Sequence, residues 1–281
     1  MPFVRRRLLL APALLLIILF LFVPIGVIII TSFWIFTGVG FKPGFVLDNY
    51  AQIFASSLHF QITLITIRIA AITTFLSLIL GYPIAYYMAT YIKKDVYRLM
   101  LVLLLLMPFW TDWTVRTMSW IPILGLEGLL NTILLSLGII HERSGAFLFS
   151  DFAVIFAMVQ SYILFMVAPI SLALGQIDRS LIHAASTLGA SSRQVFREII
   201  LPLTKSGIVM GSVFVFVLSM ADFATPKFVG GTVVTLGLDI INQLAALNLP
   251  LAAALAVFMT VIIFAIIMLM LRIVDVKKMV F

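Results

Sequence analysis

A run of apolar residues from Leu8 to Ile30 follows three arginines, Arg5, Arg6 and Arg7, at the start of this chain. It is too long for the apolar core of a secretory signal, about 7–15 residues. It reads as a retained first membrane span that starts in the cytoplasm. The pattern recurs, with spans expected over about 8–32, 62–92, 99–121, 152–174, 207–224 and 250–272. Each has at least about the 17–20 residues needed to cross a bilayer as a helix. The expected fold class is therefore all-α integral membrane, with six transmembrane helices in one domain, 1–281. With 63% apolar and 10% charged residues, no stretch remains for a soluble catalytic domain.

The formal charge of +7 is distributed as membrane orientation requires rather than as a nucleic-acid face. Thirteen of the 18 basic residues fall in segments this layout places inside: Arg5, Arg6, Arg7, Lys93, Lys94, Arg98, Arg179, Arg193, Arg197, Lys205, Arg272, Lys277 and Lys278. Four fall outside, Lys42, Arg116, Arg143 and Lys227, and Arg68 lies within the second span. This bias predicts a multi-pass protein with both termini in the cytoplasm. Without cysteine there is no disulfide, thiolate nucleophile or thiolate metal site. His59 and His141 show no ligand spacing, and no metal site is expected.

Pro108 lacks a backbone donor and should kink the third span. Asn131–Ile140 and Leu236–Leu247 read as helices on the outer surface, and Asn248 as the cap of the last span, with Pro250 in its first turn.

The longest polar interruption, 176–206, has helical character of its own. Ile182, Ala185 and Leu188 follow helical spacing, Gly189 is suited to stop that helix, and Ser191 with Gln194 forms a capping box for a second one. Val195, Phe196, Ile199 and Ile200 give the second helix an apolar face, and Pro202 marks its end or a bend.

The order His183-Ala184-Ala185, Gly189 after three residues, then Ile199-x-Leu201-Pro202 after nine more, resembles the EAA loop of ABC-importer permeases. That pattern is Glu-Ala-Ala-x3-Gly-x9-Ile-x-Leu-Pro, so His183 stands where the family has Glu. Asp48-Asn49-Tyr50, Leu80-Gly81-Tyr82-Pro83-x-Ala85, Pro108-Phe109-Trp110-Thr111 with Arg116, and Leu201-Pro202-Leu203-Thr204 are similar to the spermidine/putrescine-type branch.

The resemblance implies a type I ABC-importer permease fold and a coupling helix that docks on a separate ATPase. The partners it implies are a second, related permease, two cytoplasmic ATPase subunits, an extracytoplasmic substrate-binding protein and membrane lipid. ATP and magnesium would be bound by the ATPase, because this chain has no G-x-x-x-x-G-K-[ST] and is not an enzyme. The docking residues implied are His183, Ala184, Ala185, Gly189, Ala190, Arg193, Phe196, Arg197, Ile199 and Pro202. Gly189 and Ala190 would permit close packing, and Phe196 and Ile199 would fill the apolar part of the ATPase groove. Arg193 and Arg197 either pair with ATPase acids or serve as positive-inside anchors.

Polar groups at membrane depth are the substrate-pathway candidates. These are Asp112, Trp113, Tyr162, Asp222, Phe223 and Arg68. Carboxylates beside aromatic rings suit a cation such as a polyamine. Other readings of the same residues are an interfacial aromatic belt at Trp110 and Trp113, and an Asp112–Arg116 pair one turn apart. Arg68 reads as a counter-ion for Asp222 or Asp112, or as the contact for an anionic group on an amino-acid derivative or opine-like solute. Two other classes have little support. A stand-alone secondary transporter or channel would need polar residues across several spans. A membrane-embedded enzyme would need convergent acids, His or Ser.

Overall fold

The computed structural model describes residues 15–272 apart from Ile17 and Lys93. The expected inside charges Arg5, Arg6, Arg7, Lys93, Lys277 and Lys278, and the start of the first span, lie outside the described residues. The described residues fall into two compact units, one of residues up to 62 with 239–262 and one of residues 63–238 with those from 263 onward.

In the first unit, α1 (Ile18–Thr31) leads into a hairpin of β1 (Ile35–Phe36) and β2 (Phe41–Lys42), with Ile35 opposite Lys42. Gly38 turns the hairpin at φ +91°, a conformation that costs glycine little. The α2 helix (Asp48–Ala55) is pinned beneath it: the Asn49 amide donates to the carbonyls of Ser32 and Trp34, both at 2.9 Å. Phe33 stacks on Phe45 with centroids 4.7 Å apart, and Tyr50 bonds Ser32 at 2.7 Å. Here too, His59 Nδ1 meets Asp239 Oδ2 at 3.1 Å, both residues buried.

The second unit is built around α7 (Asp151–Gly175), whose Met158, Tyr162, Met166 and Ile170 are fully buried. Ser150 caps its start, accepting from the Ala153 amide. The α10 helix (Lys205–Ala221) lies against α7 through two glycines one turn apart. A Cβ on Gly207 would fall 2.6 Å from the Pro169 carbonyl oxygen, and one on Gly211 2.9 Å from Met166 Sδ. Small residues at this spacing let helix backbones approach closely in lipid. The long α3 helix (Ser57–Thr90) also closes on α7, where Gly81 meets Met166 and Val167.

The third expected span, 99–121, is not one helix. The α4 helix (Asp95–Leu106) gives way to a tight 3-10 turn at Met107–Trp110, and α5 (Trp113–Met118) starts afresh. Pro108 supplies no donor for continuing the first helix, and the Asp112 side chain accepts from the Thr114 and Val115 amides, at 2.8 and 3.3 Å, to begin the second. Asp112 is thus the cap of α5. Further on lie α6 (Leu129–Ser136), the loop helices α8 (Arg179–Thr187) and α9 (Ser192–Leu203), α11 (Ala224–Val229), α12 (Leu236–Ala245) and α13 (Leu249–Arg272). Asn248 caps α13 by accepting from the Leu251 amide at 3.3 Å.

Among the described residues, four helical stretches are long and apolar enough to cross a membrane: Ser57–Thr90, Trp113–Ser136, Asp151–Gly175 and Leu249–Arg272. The pair α9 and α10, bent by 60°, makes a fifth if it is counted as one span.

Candidate docking loop and substrate site

The docking loop folds as two helices joined at a sharp corner. Asp178 begins α8 by accepting from the Ser180 amide at 2.8 Å, which holds its carboxyl below the usual carboxylate range. The helix ends in a Schellman arrangement. Gly189, at φ +86°, donates to Ser186 O, and Ala190 donates to Ala185 O, each at 3.0 Å. Ser191 and Gln194 then form a reciprocal capping box for α9.

Burial separates the two faces of α8. Ile182 and Ala185 turn towards the chain's own core, whereas Leu181, His183, Ala184 and Leu188 face out. Leu188 is 89% exposed, a cost in apolar surface that a covering partner would remove. Arg179 of α8 and Arg193 and Arg197 of α9 are also exposed.

Phe196 points the other way. Its ring sits edge-on to Tyr82 and Tyr86 of α3, with centroids 5.9 and 5.8 Å apart, and Ile199 is half-buried in the same core. Phe196 thus ties α9 to α3 within the chain itself, and Ile199 packs against the chain's own core. Helical spacing identifies an apolar stripe but does not say whether it meets the same chain or another.

The substrate candidates divide into a buried group and an exposed one. Asp222 is 3% exposed at the junction of α10 and α11. Its carboxylate accepts from the Tyr162 hydroxyl at 3.0 Å, the Thr225 amide at 3.0 Å and the Thr225 hydroxyl at 2.5 Å. Tyr162 in turn meets the edge of Trp113 at 5.3 Å, and the buried Arg116 guanidinium lies 5.8 Å from the Trp113 ring centre. A cation of the chain itself, Arg116, absent from the predicted set, thus adjoins this group through the Trp113 ring.

Asp112 is exposed, as are Trp110, two residues before it, and Phe223. Arg68 is not the counter-ion of Asp222 or Asp112: it pairs with Asp151, 83 residues away, at an exposed position. That partner has no signature in local spacing, and neither has the His59–Asp239 pair. The Gly207-x-x-x-Gly211 spacing did offer a signal for the α7–α10 contact.

An apolar cavity of about 590 Å³ opens between α3, α4 and α7, lined by Leu76, Leu104, Phe156 and Ile163, with Gln160 its polar residue.

The chain is 36% identical over 249 residues to the spermidine/putrescine transport system permease protein PotB of Salmonella typhimurium strain SL1344, covering 87% of this chain and 85% of that one. The protein of the same name from Escherichia coli K12 is 35% identical over 249 residues, covering 87% and 89%. The backbone is similar to a chain in the crystal structure of a bacterial alginate ABC transporter in complex with an alginate pentasaccharide-bound periplasmic protein. The TM-score is 0.72 over 95% of this chain and 92% of that one, at 15% identity, a likeness of fold alone. No protein-family model matches the sequence.

Proposed function

This chain belongs to the family of spermidine/putrescine transport-system permeases, inner-membrane subunits of ATP-binding-cassette importers, and we propose that it forms the translocation pathway for a polyamine. The observation that supports an ATPase-driven cycle is α8, a capped helix that presents Leu181, Ala184 and Leu188 outward while its other face is bound to the core.

In this reading the chain spans the membrane six times with both termini in the cytoplasm. A second, related permease completes the core, two ATPase subunits hold ATP and magnesium, and a binding protein delivers solute from outside. Closing of the ATPase pair draws the two docking loops together and opens the cavity outward; hydrolysis reverses the motion. The exposed arginines Arg193 and Arg197 meet acidic groups on the ATPase.

For the solute, the saturated Asp222 serves as the support that fixes α7, α10 and α11. The accessible carboxylate, Asp112, with Trp110 two residues before it, is the contact for a substrate ammonium. The test is ATP hydrolysis by the assembled complex in lipid with its binding protein. The solute panel is putrescine, spermidine, neutral and basic amino-acid derivatives, and anionic opine-like compounds. Stimulation by the polyamines supports the reading, and stimulation by anionic solutes alone overturns the substrate assignment.

A further inference from the structure

Tyr82 makes two contacts of different kind with the same stretch of chain. Its ring takes the edge-on contact from Phe196, with an interplanar angle of 90°. Its hydroxyl lies 3.1 Å from Thr204 Oγ1. Thr204 is fully buried and is the one residue between α9 and α10, where the chain bends by 60°. The Thr204 hydroxyl already donates back to the carbonyls of Ile200 and Leu201, at 3.0 and 3.1 Å. A hydroxyl carries one proton, so its oxygen is left to accept, and Tyr82 is the donor.

The backbone between these two contacts is of the kind that yields. Phe196–Ile200 is a π turn, in which the Leu201 amide reaches back to Phe196 O, and Pro202 follows without a donor. Peptide connection alone would let the docking side and the membrane side of the bend move independently. The two contacts of Tyr82 close that gap, because Phe196 lies on the docking side and Thr204 at the bend itself. Tyr86, one turn along α3, doubles the grip on Phe196.

We propose that Tyr82 is the positioning residue of coupling in this transporter: it locks the inner end of α3 to α9 and to the bend from which α10 starts, so that displacement of the docking loop is carried to α3 and α10 together. The inference rests on the importer reading above. Its consequence is specific. Without the Tyr82 hydroxyl the loop still docks and the ATPase still turns over, but the bend relaxes during the stroke and less solute crosses per ATP.

The experiment measures solute imported per ATP hydrolysed in proteoliposomes of the full complex, using whichever polyamine stimulates the wild type. The variants are Tyr82→Phe, Thr204→Val and Thr204→Ser, with Tyr87→Phe as the removal of a neighbouring exposed hydroxyl. Loss of one neutral hydrogen bond corresponds to roughly a fivefold shift in the locked population. The ratio should fall by about that factor in Tyr82→Phe and Thr204→Val, with ATPase subunits still co-purifying and hydrolysis largely kept. Thr204→Ser, which retains the acceptor, should restore it, and Tyr87→Phe should leave it unchanged. An unchanged ratio in Tyr82→Phe, beside a coupled wild type, overturns the lock and leaves the importer standing. Parallel losses of transport and hydrolysis, through failed assembly, also overturn it. A wild-type complex that couples to no solute removes the importer reading and the lock with it.

Discussion

The hydroxyl of Tyr162, in the middle of α7, donates to the carboxylate of Asp222 at the end of α10, 60 residues along the chain. Thr225 contributes two more donors to the same carboxyl group, so three hydrogen bonds satisfy it at a buried site. A carboxyl group in this state is costly to strip of any donor. Tyr162→Phe should lower stability by about 1–3 kcal/mol, the range for leaving a buried polar group short of a partner. Thermal unfolding in detergent measures it, and a melting temperature equal to wild type would show that the bond contributes nothing.

Asp112 and Asp222 should respond differently to the same change. Asp112→Asn leaves a side-chain oxygen able to cap α5, so folding and assembly should survive while KM for spermidine rises several-fold. Asp222→Asn should reduce the amount of folded complex. Steady-state hydrolysis against spermidine concentration, normalised to assembled complex, separates the two. An unaltered KM in Asp112→Asn would remove that residue from the pathway.

Much of the docking loop was legible in the sequence, because its determinants are local. The Ser191–Gln194 box and the Gly189 stop lie within a few residues of what they control, and both are present in the structure. The orientation of Phe196 was not legible, since an apolar stripe fits the chain's own α3 as well as a partner's groove. The pairing of Arg68 with Asp151 was hidden by the distance along the chain. The break at 107–112 was half legible: Pro108 indicates a kink, but the second role of Asp112 as a cap turns the kink into a new helix.

Gly207 should tolerate no side chain. Gly207→Ala places a Cβ 2.6 Å from the Pro169 carbonyl oxygen, and the α7–α10 contact has to open. A loss of about 1–3 kcal/mol is expected from such overpacking. Gly26→Ala, where nothing lies within 4 Å, is the control. Equal melting temperatures for the two variants would contradict the close packing.

The cap at Asp178 has a defined pH dependence. Its carboxyl is held below the usual range by the Ser180 amide, so its contribution is complete above the unfolded value, about 4, and is lost as the pH falls through the lower folded value. The stability difference between wild type and Asp178→Ala should be constant from pH 8 to 6 and shrink below about 4. A difference that instead grows on acidification would contradict the assignment.

Leu188, 89% exposed on α8, offers the most direct measurement of ATPase-driven transport through this chain. Uptake of labelled spermidine is followed in proteoliposomes of the complete complex, with ATP on the ATPase side, for wild type and for Leu188→Glu. The account predicts ATP-dependent uptake by the wild type and its loss in Leu188→Glu, with the permease still folded but no longer retaining the ATPase. Spermidine uptake that proceeds without ATP, or that is unchanged in Leu188→Glu, would contradict it.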